Sequence, residues 1–134
     1  MLTVKELMKE IETKGGSTPA KKIRETAERF PEMIAMREKN YGKWEEITYH
    51  QYWEQAQWVG CALNYFGVDT QDSVAIHSEN RPEWFIADVG IQSIGAISVG
   101  LYPTNPPAEV QYLIGHSESK ILFAEDQEQV DKAL

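Results

Sequence analysis

Residues 73–101 read SVAIHSENRPEWFIADVGIQSIGAISVGL. Two short apolar runs rich in β-branched residues, SVAIHS (73–78) and AISVGL (96–101), enclose a stretch with helical spacing, PEWFIADVGIQSIG (82–95). Runs that stay apolar instead of alternating suit strands covered on both faces, as in a parallel sheet. In the stretch between them Trp84, Ala87, Ile91 and Ile94 fall on one helical side, and Gly95 supplies a stop. The pattern then repeats. PPAEVQYLIGHSES (106–119) groups Val110, Leu113, Ile114 and Ser117, KILFAE (120–125) is a third apolar run, and DQEQVDKAL (126–134) begins another helix. Strands alternating with helices across short links imply right-handed crossovers. The fold class is therefore α/β: a parallel βαβαβ unit over about 73–134, the N-terminal part of a doubly wound sheet domain, preceded by helices and a β-hairpin.

Working outward, residues 1–17 read as a leading helix, with Val4, Leu7, Met8 and Ile11 on one stripe, ending in a GGS hinge at 15–17. Residues 18–72 read as helix, hairpin, helix. Thr18 is placed to cap the first helix, with Pro19 at its first position, where a missing N–H is harmless. Ile23, Ala27 and Phe30 form its apolar side. Residues 33–49 read as two strands around Asn40-Tyr41-Gly42. Thr48 and Gln51 have capping-box spacing. Tyr52, Ala56, Val59, Leu63 and Phe66 then trace the buried stripe of the next helix, which stops at Gly67. Three parallel strands leave long open edges, so the chain is expected to be the front part of something larger.

The formal net charge of −8 opposes binding to phosphate backbones or anionic lipid headgroups. Cys61 is the only cysteine, which excludes an internal disulfide and a cysteine-rich metal site. No signal-peptide core and no apolar run of about 18–20 residues occurs. The expected setting is cytoplasmic and reducing.

In an open parallel sheet, ligands settle beyond the carboxyl ends of the strands. Two loops lie there, HSENRP (77–82) and GLYPTNPP (100–107). Neither carries the glycine-rich spacing that lets backbone approach a pyrophosphate, and no P-loop exists. Asn80 and Glu83 have capping-box spacing, with Pro82 in the first turn. Arg81 is left over, to pair with a carboxylate on a neighbouring element or to face a substrate. His77 stands alone on a strand end without ligand partners, and His50 and His116 fall on helix surfaces. Ser73, Ser78 and Ser98 lack a nucleophile elbow. Glu45 and Glu46 alternate across a strand, so they cannot act as an acid–base pair. Tyr49, Trp53, Trp58 and Tyr65 add packing area beside the main helical stripe, against a further domain. Cys61 reads as a small buried hydrophobe. No residue is assigned as catalytic, cofactor-binding or metal-binding.

The order of segments adds a resemblance. TPAKKIRETAERF (18–30), WEEITYHQYWEQA (44–56) and the long stretch from Asp72 to Asp126 resemble the N-terminal part of the adenylate-forming enzymes. The likeness is greatest to the long-chain fatty-acid–CoA ligases, and ENRPEW (79–84), GAISVGLYPT (95–104) and HSESKILFAED (116–126) carry it most specifically. It implies a whole enzyme that uses ATP, Mg²⁺ and coenzyme A to convert a fatty acid into an acyl-CoA through an acyl-adenylate. It also implies that the phosphate loop, the adenine and ribose segments and the lid lysine lie later in the family's chain. ENRPEW and GLYPT would then be scaffold, with Arg81 tying the first sheet to later parts, and the isolated segment would be inactive. Two other readings stay open: a self-associating binding module, homodimeric through exposed strands or helices, and the front of an acyl-AMP ligase with a carrier-protein acceptor. A flavodoxin-like or dinucleotide enzyme is the weakest rival. A lipid substrate makes transient peripheral membrane contact an expectation for the full-length enzyme only.

Overall fold

Why the chain reverses after Asn40 is a matter of two residues. Tyr41 and Gly42 have φ of 46° and 81°, so both central turn residues are left-handed, as a tight two-residue hairpin turn requires. A computed structural model describes residues 18–134; the helix and hinge expected over 1–17 lie outside the described residues. The elements are α1 (Pro19–Arg29), β1 (Ile34–Asn40), β2 (Lys43–Thr48), α2 (Tyr49–Tyr65), β3 (Ser73–His77), α3 (Pro82–Ser93), β4 (Ile97–Leu101), α4 (Pro107–His116), β5 (Ile121–Ala124) and α5 (Gln127–Ala133). β1 and β2 pair antiparallel, with Arg37 opposite Glu46 and Asn40 opposite Lys43. The other three strands form a parallel sheet in the order β4-β3-β5.

The sheet carries helices on both faces, and the alternation along β3 decides which core each side chain joins. Val74 and Ile76 point into one core with Leu63 of α2, Ala87 and Ile91 of α3, and Val68. Ala75, between them, points to the other face, where Leu101 and Val110 pack with Leu113, Ile114, Leu122 and Ala133. A third cluster joins Ala20, Tyr52, Ala56, Ile86 and Val89, so α3 is buried on two sides, against the sheet and against α1 and α2. The Tyr52 hydroxyl donates to the Phe85 carbonyl at 3.2 Å. Burial, and secondarily the Asp88 carboxylate, pushes the Tyr52 phenol far above its usual value.

Local signals placed most helix starts correctly. Thr18 accepts from the Lys21 amide at 3.3 Å with Pro19 in the first turn, and both arms of the Thr48–Gln51 capping box form. Gly67 and Gly95 take φ of 83° and 76° just past α2 and α3.

Four expectations need correction. Phe30 and Phe66 are exposed, because each is a C-cap residue past the last helical turn; Gly60 and Val68 close the α2 side instead. Cys61 is exposed, since it lies opposite the Tyr52–Ala56–Leu63 stripe. Of the four aromatics expected to pack against a further domain, Tyr49 and Trp53 pack instead into the core of this chain, while Trp58 and Tyr65 are exposed. Among the described strands of this sheet only β3 is covered on both faces. β4 and β5 are edge strands and stay partly exposed, Ile97 at 50%.

Candidate functional site

The chain leaves β3, crosses to β4 on one side, then crosses back to β5 on the other. The gap between β3 and β5 at their carboxyl ends is thus the topological switch point, where open α/β sheets form ligand crevices. A cavity of about 300 Å³ lies there. Its inner wall is apolar, made by Ile76 from β3, Trp84 and Ala87 from α3 and Phe123 from β5. Gly100 gives the indole its room: a Cβ there would sit 3.4 Å from the Trp84 ring.

The mouth is polar and already engaged. Arg81 Nε donates to Glu83 at 2.8 Å, and Arg81 Nη1 donates to Glu125 Oε1 at 3.0 Å. Glu125 Oε2 accepts from the Glu79 amide at 2.7 Å and from the Ser78 hydroxyl at 3.2 Å. Three donors of the β3–α3 loop therefore converge on one carboxylate at the end of β5. The Glu79 amide first, then Ser78 and Arg81, hold the Glu125 carboxyl below the usual range. For Glu83, partial burial is the largest single influence and works upward, but the Arg81 hydrogen bond, the residue's own backbone amide and the Arg81 charge together outweigh it, and the net shift is downward. Glu83 and then Glu125 raise the already high value of Arg81.

These shifts have a sign. A carboxylate whose folded pKa is depressed contributes stability above its unfolded value, near 4.3 for Glu, and that contribution disappears as pH falls through the folded value. The β3–β5 tie is therefore expected to weaken below about pH 4. In Glu125→Gln, urea unfolding followed from pH 7 to pH 3 should show a smaller acid-induced loss of stability than the parent chain. Equal losses in both would show that Glu125 is not a linked group.

The crevice unites some sequence candidates and separates others. Ser78 and Arg81 meet at its mouth, and Arg81 takes the commoner of its two expected fates by pairing with a neighbouring element. The Asn80–Glu83 capping box does not form. Arg81 is the N-cap in extended conformation (φ −140°, ψ 163°), as a residue before proline prefers, so the helix starts one residue later than the box demands. Glu83 turns to Arg81 instead. His77 belongs to the opposite face of the sheet and is fully buried. Its Nε2 lies 3.2 Å from the Tyr102 carbonyl, which an Nε2–H tautomer satisfies by donating; Nδ1 meets no partner among the described residues. Ser98 donates to Asp88, tying β4 to α3. His50 and His116 are exposed, the latter stacked on Tyr112. Sequence reasoning overlooked Glu125. The available signal was an acidic residue directly after an apolar strand, level with an arginine after the neighbouring strand.

The described residues of this crevice do not fit a triphosphate. The crevice's three anion-facing donors are taken by Glu125, and Glu83 adds a second negative charge beside them. Among the described residues no group of three His, Cys, Asp or Glu side chains is gathered as metal ligands would be.

A parallel sheet in the order β4-β3-β5 with a crevice at its switch point is the doubly wound α/β arrangement. Residues 23–134 match the AMP-binding enzyme family, and the chain belongs to it. Against the human long-chain-fatty-acid–CoA ligase ACSBG2, it is 36% identical over 112 residues, covering 84% of this chain and 17% of that protein. The chain thus spans less than a fifth of the length of the curated relatives it matches. The N-terminal subdomain of Klebsiella oxytoca NpsA superposes with a TM-score of 0.72 at 24% identity, covering 81% of this chain and 28% of that one. A fatty acid AMP ligase from Legionella pneumophila gives 0.73 at 21% identity, covering 84% of this chain and 20% of that one. At such identities the two structures share the fold. No helix among the described residues is long and apolar enough to cross a membrane.

Proposed function

We propose that the chain is the N-terminal segment of an ATP-dependent long-chain-fatty-acid–CoA ligase. The observation that carries this is the 36% identity over 112 residues to a human ligase of that activity, inside a family match over residues 23–134. In the parent enzyme, a fatty-acid carboxylate attacks the α-phosphorus of ATP and pyrophosphate leaves. The coenzyme A thiol then attacks the acyl-adenylate, giving the thioester and AMP. AMP is a far better leaving group than hydroxide, which is the reason for the detour. Mg²⁺ serves by neutralising the phosphates. Within that enzyme residues 18–72 and 73–134 are scaffold, with 1–17 leading into them. Transient contact of the parent with a membrane surface, where its lipid substrate resides, belongs to the same reading.

The described residues form no triphosphate cradle, and on this reading the isolated chain is inactive. Incubated with ATP, Mg²⁺, palmitate and coenzyme A, it should yield no acyl-CoA above the background of a mock purification. Turnover that co-elutes with the purified chain would overturn that statement. Capture of the native gene product with an antibody to residues 73–134 tests the parent: a mass several times 15.3 kDa is expected. A product of 15.3 kDa would overturn the ligase reading and favour a self-associating binding module.

A further inference from the structure

We propose that the outer face of α2 is a contact between two copies of this chain, packed antiparallel about a two-fold axis. Opposite the Tyr52–Ala56–Leu63 stripe, Trp58, Tyr65 and Phe66 stand 62%, 86% and 71% exposed, and Cys61 and Ala62 between them are exposed too. The Tyr65 and Phe66 rings meet edge to face with centroids 5.4 Å apart, so the aromatics form one patch. An aromatic side chain carries about 150–250 Å², which puts the patch at about 500 Å². That is the upper end of what a monomer ordinarily exposes. Two such patches together bury about 1,000 Å², the lower limit for a specific interface, so the dimer is weak and reversible.

The composition of the face names its occupant. From Gln55 to Phe66 the helix carries no carboxylate and no amine, so a chain of net charge −8 meets its own copy here without like charges face to face. α2 contains no Lys or Arg, in which a helix lying on a membrane surface is normally rich. The order of side-chain sizes is self-complementary. Trp58 and Tyr65 lie two helical turns apart on one side, with the small Cys61 and Ala62 midway. An axis between Cys61 and Ala62 sets each Trp58 over the partner's Tyr65 and lets the backbones approach at the small residues.

Sedimentation equilibrium of the chain, up to about 1 mM, tests this. A monomer–dimer equilibrium is expected, with a dissociation constant on the order of 100 µM for so small an interface. Trp58→Glu puts a carboxylate into the contact and should weaken it about tenfold or more. Trp44→Glu, at a comparably exposed position on β2, should leave it unchanged. Both positions are exposed, so both variants should keep the circular dichroism of the parent chain. A short bis-maleimide should join two chains through Cys61, their only cysteine, and join Trp58→Glu chains far more slowly. Peptide mapping of the native gene product, captured from its source and treated alike, should find Cys61 joined to Cys61. A monomer throughout, a dimer that survives Trp58→Glu, or one weakened equally by Trp44→Glu would each overturn the proposal. So would sedimentation with phosphatidylcholine vesicles in place of self-association, or a native product without the Cys61 link because later parts of the parent cover the helix. None of these readouts depends on the mass or activity of the parent, so a failure here is separable from a failure of the ligase reading.

Discussion

Ile91→Ala should lower the free energy of unfolding by about 4 kcal/mol, the upper part of the range for a fully buried aliphatic residue. Ile91 has no exposed surface and packs among Leu63, Val68, Val74 and Ile76, where α2, α3 and β3 meet. Truncation removes favourable burial and leaves a cavity that these well-anchored neighbours cannot collapse to fill. Domains of this kind are stable by only about 5–15 kcal/mol, so a large fraction would go. The measurement is urea unfolding followed by circular dichroism, in which the midpoint should fall by about 2 M at an ordinary slope. Ile97→Ala is the internal comparison. Ile97 is 50% exposed on the edge strand β4, and its loss should amount to about 1 kcal/mol or less. Similar effects at the two positions would show that the α3 core is not close-packed.

Gly90→Ala is the second large effect, and it runs against helix propensity. Alanine in a helix interior normally gains close to 1 kcal/mol over glycine. Here an added Cβ would lie 2.7 Å from Val59 Cβ and 2.8 Å from the Ala56 carbonyl oxygen. One obstacle is backbone, so α2 and α3 must move apart, loosening the cores on both sides of α3. A net destabilisation of about 2 kcal/mol is expected, from overpacking of the kind that shifts backbone. Gly60→Ala, on the facing helix, should be milder. Its nearest obstacle is the Ser93 hydroxyl at 2.7 Å, which can rotate away. Thermal unfolding of both variants tests the order, and a Gly90→Ala chain as stable as the parent would mean that the helices do not approach this closely.

Much of the framework was legible because it rests on short-range chemistry. Thr18, Thr48, Pro19, Pro82, Gly67 and Gly95 mark helix ends by satisfying, or doing without, the backbone groups of a single turn. Three apolar runs separated by amphipathic helices allowed a parallel βαβαβ unit and little else. The likeness of ENRPEW and its flanking segments to one enzyme family was legible too, and the family match over residues 23–134 supports it. The candidate site was legible only in part. Arg81 could be singled out as unexplained, but its partner Glu125 lies 44 positions away, and nothing local relates the two.

The amino-acid sequence by itself determined the elements, their order and the class of sheet, since periodicity, caps and strand composition act over a few residues. Only the tertiary structure decided which residues meet. It ran β5 back beside β3, and so put the Glu125 carboxylate onto the donors of the β3–α3 loop. It set α3 close enough to α2 that Gly90 admits no side chain. It left Cys61, Trp58 and Tyr65 in solvent although their residue types favour burial. The physical reason is common to all three. Burial and pairing are properties of what the rest of the chain brings alongside a residue, and strand order is set by crossover and packing, not by any one segment's preference.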